Sequence, residues 1–273
     1  MLPDFGELYI KARQASSFKQ RSPDLWSARA KAMDEASFDN GKSDNGKSSS
    51  QIEPNYLDDF AALVDLNGAN SLLDMGSGPG HLTVKLSKKA NLKSIIAADF
   101  SPTMLDLAAK NGANIPGFST LNLDFYKSWP KDLKADVVTA SRCLEVDDLK
   151  SALVKLLAVA QKRLYFTYFC GPSFLDPEIA ALLERKISPR PDYIYAANIL
   201  YELGLRFELC FLKSPSRRFL ASSADEFVEK IRFSIDDLSP KEEARAKFYW
   251  QEFYRHKSKC ADMDWAFFAI KLI

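Results

Sequence analysis

Ser71-Leu72-Leu73-Asp74-Met75-Gly76-Ser77-Gly78-Pro79-Gly80 is the stretch from which the fold can be read. A short apolar run ends on an acid, Asp74. Three glycines follow at alternate positions, and His81 to Ala90 reads as a helix. Strand, glycine turn and helix form the crevice in which an open α/β sheet holds a nucleotide, at the carboxyl end of a strand. The glycines let the backbone turn tightly and approach a ligand with no Cβ in the way. A dinucleotide turn follows G-x-G-x-x-G and presents its amides to a pyrophosphate. Counted from Gly76, the third glycine of that pattern falls on His81, so the pattern fails. An acid two residues before the first glycine would repel a pyrophosphate. It suits a ligand that carries an ammonium or sulfonium group.

The alternation of strand and helix continues on both sides of this stretch. Leu57, Phe60, Ala61 and Val64 make a helical stripe that stops at Asn67-Gly68. Ser94 to Ala98 reads as a buried strand ending on Asp99, and Ser101-Pro102 caps a helix carrying Met104, Leu105 and Ala108. Phe118 to Leu123 reads as a third strand ending at Asp124-Phe125, and Asp136 to Ser141 as a fourth. Asp147 and Asp148 open a helix with Leu149, Leu153, Leu156, Leu157 and Ala160 on one face. Lys162 to Phe169, Leu205 to Leu212 and Trp265 to Leu272 complete seven strands. Further helices start at Asp176-Pro177-Glu178 and at Tyr193. The pattern predicts an α/β fold with a doubly wound, mostly parallel sheet and helices on both faces. The last strand, with no helix after it, is free to pair antiparallel.

The pattern D-x-G-x-G-x-G after a buried strand, here Asp74, Gly76, Gly78 and Gly80, resembles the first motif of the class I S-adenosylmethionine-dependent methyltransferases. Asp99, at the tip of the second strand, matches that family's second motif. The resemblance runs from about Pro54 to Ile273 and is specific in the first half. It implies S-adenosyl-L-methionine as cofactor, held by Asp74, Gly76, Ser77, Gly78, Gly80, Asp99, Phe100, Met104, Asp124, Phe125 and Ser141. Asp99 would accept both ribose hydroxyls, since a carboxylate offers two oxygens in the right fork. Phe100 would pack on the adenine, and Asp124 would accept from its amino group. An N-terminal helix covers the cofactor in many relatives, and Trp26, Arg29 and Ala30 look like that lid, with Arg29 reaching the methionine carboxylate. The family handles its acceptor after the fourth strand, here Ser141-Arg142-Cys143-Leu144-Glu145. This segment lacks N/D-P-P-Y, a proline before Cys143, and paired glutamates. It therefore does not look like an enzyme for base amines, cytosine C5 or protein arginine. Glu145 is the best candidate for a base or ammonium binder, ahead of Tyr193, Tyr195 and His256.

Composition narrows the partners. The 273 residues carry 47% hydrophobic and 27% charged side chains and a formal net charge of +1, which argues for a soluble globular protein and against a broad nucleic-acid footprint. Met1 to Gln14 lacks the apolar core of a signal peptide, and no run suits a bilayer. Cys143, Cys170, Cys210 and Cys260 form no C-x-x-C pair and read as reduced thiols of a cytoplasmic protein. Two histidines, His81 and His256, leave no histidine-built metal site. Asp-Asn-Gly-Lys-Ser occurs in tandem at 39–48 and creates a formal phosphate-loop match, but no buried strand precedes it and no amphipathic helix follows. Residues 1–52 thus read as a helical lid and a flexible tether, and 53–273 as the catalytic domain. An insertion at about 214–262 carries two capping boxes, at Ser223 and Ser239, and a helix bearing Phe248, Tyr249, Trp250, Phe253 and Tyr254. These rings either wall an apolar substrate or pack the insertion onto the sheet. Arg217-Arg218 offers two cations to an anionic substrate. The expected function is methyl transfer to a small molecule, with RNA or protein methylation and a non-catalytic cofactor-binding module as the alternatives.

Overall fold

The computed structural model describes residues 3–18, 22, 24, 26, 55–173, 175–214, 219–235, 237–257 and 262–272. Arg29, Ala30, the tandem repeat at 39–48, Arg217-Arg218 and Cys260 lie outside the described residues.

The chain runs α1 (Phe5–Ala15), α2 (Tyr56–Leu63), β1 (Ser71–Met75), α3 (His81–Ser87), β2 (Ser94–Asp99), α4 (Pro102–Gly112), β3 (Phe118–Asn122), β4 (Ala135–Ala140), α5 (Leu149–Val159) and β5 (Ala160–Phe169). It continues through α6 (Pro177–Leu182), α7 (Tyr193–Glu202), β6 (Glu208–Ser214), α8 (Ala224–Ile235), α9 (Pro240–Glu252), a 3-10 turn (Tyr254–His256) and β7 (Met263–Lys271). The seven strands lie in the order β3-β2-β1-β4-β5-β7-β6. Strands β1 to β5 are parallel, and β7 inserts antiparallel between β5 and β6. The sheet is therefore mixed at one edge, where the strand expected to be free to reverse does so.

Successive residues point to opposite faces of a strand, and the core follows that rule pair by pair. Leu72, Val137, Tyr165 and Phe267 face one side, with Phe60 of α2 and Leu86 of α3. Leu73, Val138, Phe166 and Phe268 face the other, with Tyr9 of α1, Leu153 of α5 and Ile199 of α7. The central strands β1 and β4 are buried on both faces because both faces are covered, whereas the edge strands β3 and β6 are largely exposed.

Helix starts follow local chemistry. The side chains of Ser101, Asp148 and Ser239 each accept an N–H from the first turn of the helix that follows. Ser239 and Glu242 form the complete reciprocal box. At Ser223 the box is altered: Ser223 Oγ accepts the Glu226 N–H, but the Glu226 carboxylate returns to the N–H and hydroxyl of Ser222.

The insertion packs differently from expectation. Its helices build a separate small core with α6, through Phe227, Ile231, Ala246, Tyr254 and Ile179. Phe248 and Phe253 are exposed, and Tyr254 is buried against Phe227. The rings of α9 thus neither wall a pocket nor cover the sheet. Strand β6 also starts later than the apolar run at Leu205 predicts, because Leu205 and Phe207 pack into the core before the ladder begins.

The join between β5 and β7 tests this layering. Phe268 is fully buried and stacks on Phe166 with ring centroids 4.6 Å apart. Truncating it opens a large void, so Phe268→Ala is expected to cost about 3–5 kcal/mol of unfolding free energy, read from a urea midpoint.

Candidate active site

The order β3-β2-β1-β4 places the topological switch between β1 and β4, and the crevice opens at their carboxyl ends. A cavity of about 690 Å³ lies there. Its lining includes Asp74, Gly76, Ser77, Gly78, Asp99, Phe100, Met104, Asp124, Phe125, Ser141 and Glu145, so the structure brings together nearly all the residues singled out by sequence. Gly80 is the exception among the described ones; it forms the N-cap of α3 and packs on Ala108. Trp26 also lines the cavity and meets Phe233 of α8 edge to face at 5.7 Å. Tyr193, Tyr195 and His256 do not line it.

The three glycines answer to different constraints. Gly76, Gly78 and Gly80 all have positive φ, at 67°, 54° and 82°. A Cβ on Gly76 would stand 2.3 Å from the Cβ of Cys143, and one on Gly80 would stand 3.1 Å from that of Ala108. A Cβ on Gly78 would meet nothing within 4 Å. Two glycines are thus required by neighbouring protein as well as by backbone conformation. The middle one leaves an open approach for a ligand.

Asp74 is 1% exposed. Its Oδ2 accepts the Thr83 hydroxyl at 2.6 Å and its Oδ1 accepts the Thr139 hydroxyl at 2.7 Å. Burial pushes its carboxyl up to about 6, against those two hydrogen bonds, which pull it down. Asp74 is therefore a buried floor under the turn, with each carboxylate oxygen held by a hydroxyl.

Asp99 ties two turns together. Its Oδ2 accepts the Gly78 N–H at 2.9 Å and its Oδ1 accepts the Ser101 N–H at 2.9 Å. Burial raises its carboxyl above the ordinary range, with the backbone bonds opposing. Each oxygen keeps a second lone-pair direction for a hydroxyl. Asp124 opens a turn as well as lining the cavity: its Oδ1 accepts the Tyr126 N–H and its carbonyl accepts the Trp129 indole. Ser141 is held by the Tyr56 hydroxyl, 2.8 Å away, which also meets Thr167 at 2.7 Å.

Glu145 is not the lone carboxylate that the sequence leads one to expect. It forms an ion pair with Arg190, which is 3% exposed and lays its guanidinium 4.5 Å from the Phe169 ring centroid. The pair pins the loop after β4 to the segment before α7, so Glu145 is an anchor here, with its charge already matched. Cys143 hydrogen-bonds the Met75 carbonyl, and its thiol is pushed well up by burial and then by Asp74 and Asp99, which fits a packing role. No cluster of metal-ligating side chains occurs among the described residues, nor does any helix there have the length and apolarity to cross a membrane.

Sequence reasoning missed Thr83, Thr139, Tyr56, Arg190 and Arg13. Thr139 alone carried a signal, as a hydroxyl inside a strand whose other residues are apolar apart from its second, Asp136.

Comparison with known proteins agrees with this geometry. Residues 72–163 match the family model of a methyltransferase domain. An uncharacterised protein of Haemophilus influenzae is 33% identical over 182 residues, which covers 66% of this chain and 67% of that one. Among solved structures, the cyclase SpnF superposes with a TM-score of 0.55 at 17% identity, covering 93% of this chain and 97% of its own. A phosphoethanolamine N-methyltransferase of Haemonchus contortus, solved with S-adenosylhomocysteine, gives 0.53 at 16% identity, covering 92% of this chain and 60% of its own. The chain belongs to the class I S-adenosyl-L-methionine-dependent methyltransferases. S-adenosyl-L-methionine is the cofactor that goes with that membership.

The residues fit such a group. The site offers acids and open glycine backbone where a nucleoside and an ammonium would lie. Gly76→Ala is expected to abolish measurable S-adenosylhomocysteine binding by calorimetry and to lower the melting temperature. The new methyl group meets Cys143 at an angle of φ that side chains rarely adopt.

Proposed function

We propose that this protein transfers the methyl group of S-adenosyl-L-methionine to a small-molecule acceptor held in the same cavity. The observation that carries the reading is the Asp99 carboxylate at the tip of β2, bonded to the amides of Gly78 and Ser101 and still able to accept two hydroxyls. Asp99 takes the ribose, Phe100 and Met104 flank the adenine, and Asp124 and Phe125 close its far edge. Gly76, Ser77 and Gly78 run along the methionine portion. Ser141, fixed by Tyr56, completes the cofactor side, and Arg29 keeps the role toward the methionine carboxylate that the family resemblance implies.

When bound, the cofactor supplies an already activated methyl group on a sulfonium. The protein's share is alignment and exclusion of water. The Glu145–Arg190 pair fixes the loop on which the acceptor rests. Tyr126 clamps the start of α5 by donating to Asp147 Oδ2 and accepting its N–H, both at 3.1 Å. The one carboxylate of the segment 141–145, Glu145, is held in an ion pair, which suits an acceptor that is nucleophilic as it arrives. The small-molecule reading is supported by the largely apolar cavity and by a net charge of only +1.

Asp99→Ala should weaken S-adenosyl-L-methionine binding by about tenfold or more, since each hydrogen bond to a charged group contributes on the order of 1.5–3 kcal/mol. Wild-type protein incubated with methyl-labelled cofactor and a metabolite extract should yield a labelled small product; label in RNA or protein alone would refute the reading. Asp74 adds a pH dependence. Its folded value near 6 lies above its ordinary 3.8, so its contribution to stability is fully present below pH 4 and is lost as pH rises through 6. A cationic ligand reverses the preference, because it favours the ionised carboxylate. Cofactor affinity is therefore expected to rise as pH increases through about 6, and Asp74→Asn should flatten that rise in a titration series.

A further inference from the structure

The acceptor side of the cavity is built from donors. Arg13, in the last turn of α1, is 5% exposed and lines the cavity. One of its Nη groups donates to the Phe18 carbonyl. Its Nε has no hydrogen-bond acceptor among the described residues, and its ion pair with the largely exposed Asp147 carboxylate spans 3.8 Å. Arg142 opens the loop after β4 at φ 55°, a left-handed conformation that side chains seldom take. Its guanidinium lies 4.3 Å from the Tyr56 ring centroid, and it has no ion pair among the described residues. Trp265, buried near the start of β7, leaves its indole Nε1 without an acceptor among the described residues.

The carboxylates nearby are already engaged. Glu145 pairs with Arg190, and Asp147 is held by Tyr126. Two buried donors on this wall, Arg13 Nε and Trp265 Nε1, thus lack an acceptor among the described residues, and Arg142 adds an exposed cation. Leaving a buried donor without a partner is unfavourable, so a ligand that brings acceptor oxygens would complete the arrangement. The rest of the wall here is apolar, with Phe18, Trp26, Phe233 and Met263.

We propose that the methyl acceptor is an anionic small molecule with an apolar body, its carboxylate or phosphate seated at Arg13 with Arg142 as the second cation. This rests on the methyltransferase reading above. The anionic group binds and orients; the accepting atom is a separate nucleophile on the same molecule. It forms the new bond to the methyl carbon as the sulfonium bond breaks, and the electron pair stays on sulfur.

The test uses the full chain and two steps. S-adenosylhomocysteine is titrated first by calorimetry, which checks the methyltransferase reading alone. The saturated protein is then titrated with phenyl phosphate and phenylacetate, and with benzyl alcohol and benzylamine as neutral and cationic counterparts. The expected result is binding of one or both anions about tenfold or more tighter than the alcohol and the amine. The anion preferred tells phosphate from carboxylate. Arg13→Gln should lose about tenfold in anion affinity while keeping that for S-adenosylhomocysteine, and Arg13→Lys should keep most of both. The proposal is overturned if no anion binds, if benzylamine or benzyl alcohol binds as well as the anions, or if Arg13→Gln leaves anion affinity unchanged. Should Arg13→Gln disturb α1 and lose both ligands, the wild-type ranking of the four probes decides by itself. Failure of S-adenosylhomocysteine to bind wild-type protein would instead sink the earlier reading.

Discussion

A carboxylate buried in the middle of the molecule sets the geometry of everything around it. Asp74 takes one hydroxyl from Thr83 on α3 and one from Thr139 on β4, so a single side chain ties together a strand, the helix after its turn, and the strand across the switch point. Taking a carboxylate out of water is costly, and two neutral hydroxyls offset only part of that cost. The raised titration of Asp74 is the residue of the imbalance. A protein that only needed stability would place an apolar side chain here. A buried charge left under-compensated, directly beneath an open backbone turn, is the kind of local conflict that marks a binding site.

The same turn shows how binding geometry is fixed before any ligand arrives. Asp99 receives amides from two loops, and Asn122 donates to the carbonyls of Asp99 and Phe100. Asn111 reaches back to the Pro79 carbonyl. The loops after β1 and β2 are thus laced to each other and to α4. A site held in this way spends little of its binding energy on ordering itself.

Much of this could be read from the chain because it is local. Asp74 and its glycines lie within one stretch, Asp99 follows at the end of the next apolar run, and Ser101, Asp148 and Ser239 cap the helices that they precede. What could not be read depends on contacts between distant segments. Nothing near Glu145 announces Arg190, and nothing near Ser141 announces Tyr56. The rings of α9 show the same limit from the other side. Aromatic residues at close spacing say that a helix is sticky, but whether it meets a sheet, a ligand or its own neighbours is decided by α6 and α8. Strand β6 was displaced for a related reason: Leu205 and Phe207 are apolar because they pack, and apolarity does not say where a ladder begins.

Polarity across the cavity connects its two halves. Acids lie beneath the glycine turn, in Asp74 and Asp99, and guanidinium groups lie on the acceptor side, in Arg13 and Arg142. On the reading proposed above, the acids would face a cationic donor and the guanidinium groups an anionic acceptor. It also bears on rate. Transfer from a sulfonium to a nucleophile that is negative or electron-rich dissipates charge between the reacting atoms, and such a step is favoured where water is excluded. Fixed counter-charges at both ends let the two reactants share a poorly hydrated space that neither would enter alone. With alignment and charge placement supplied by the walls, a dedicated base becomes dispensable. The Glu145 carboxylate is then free to serve as a strut, which is where the structure has put it.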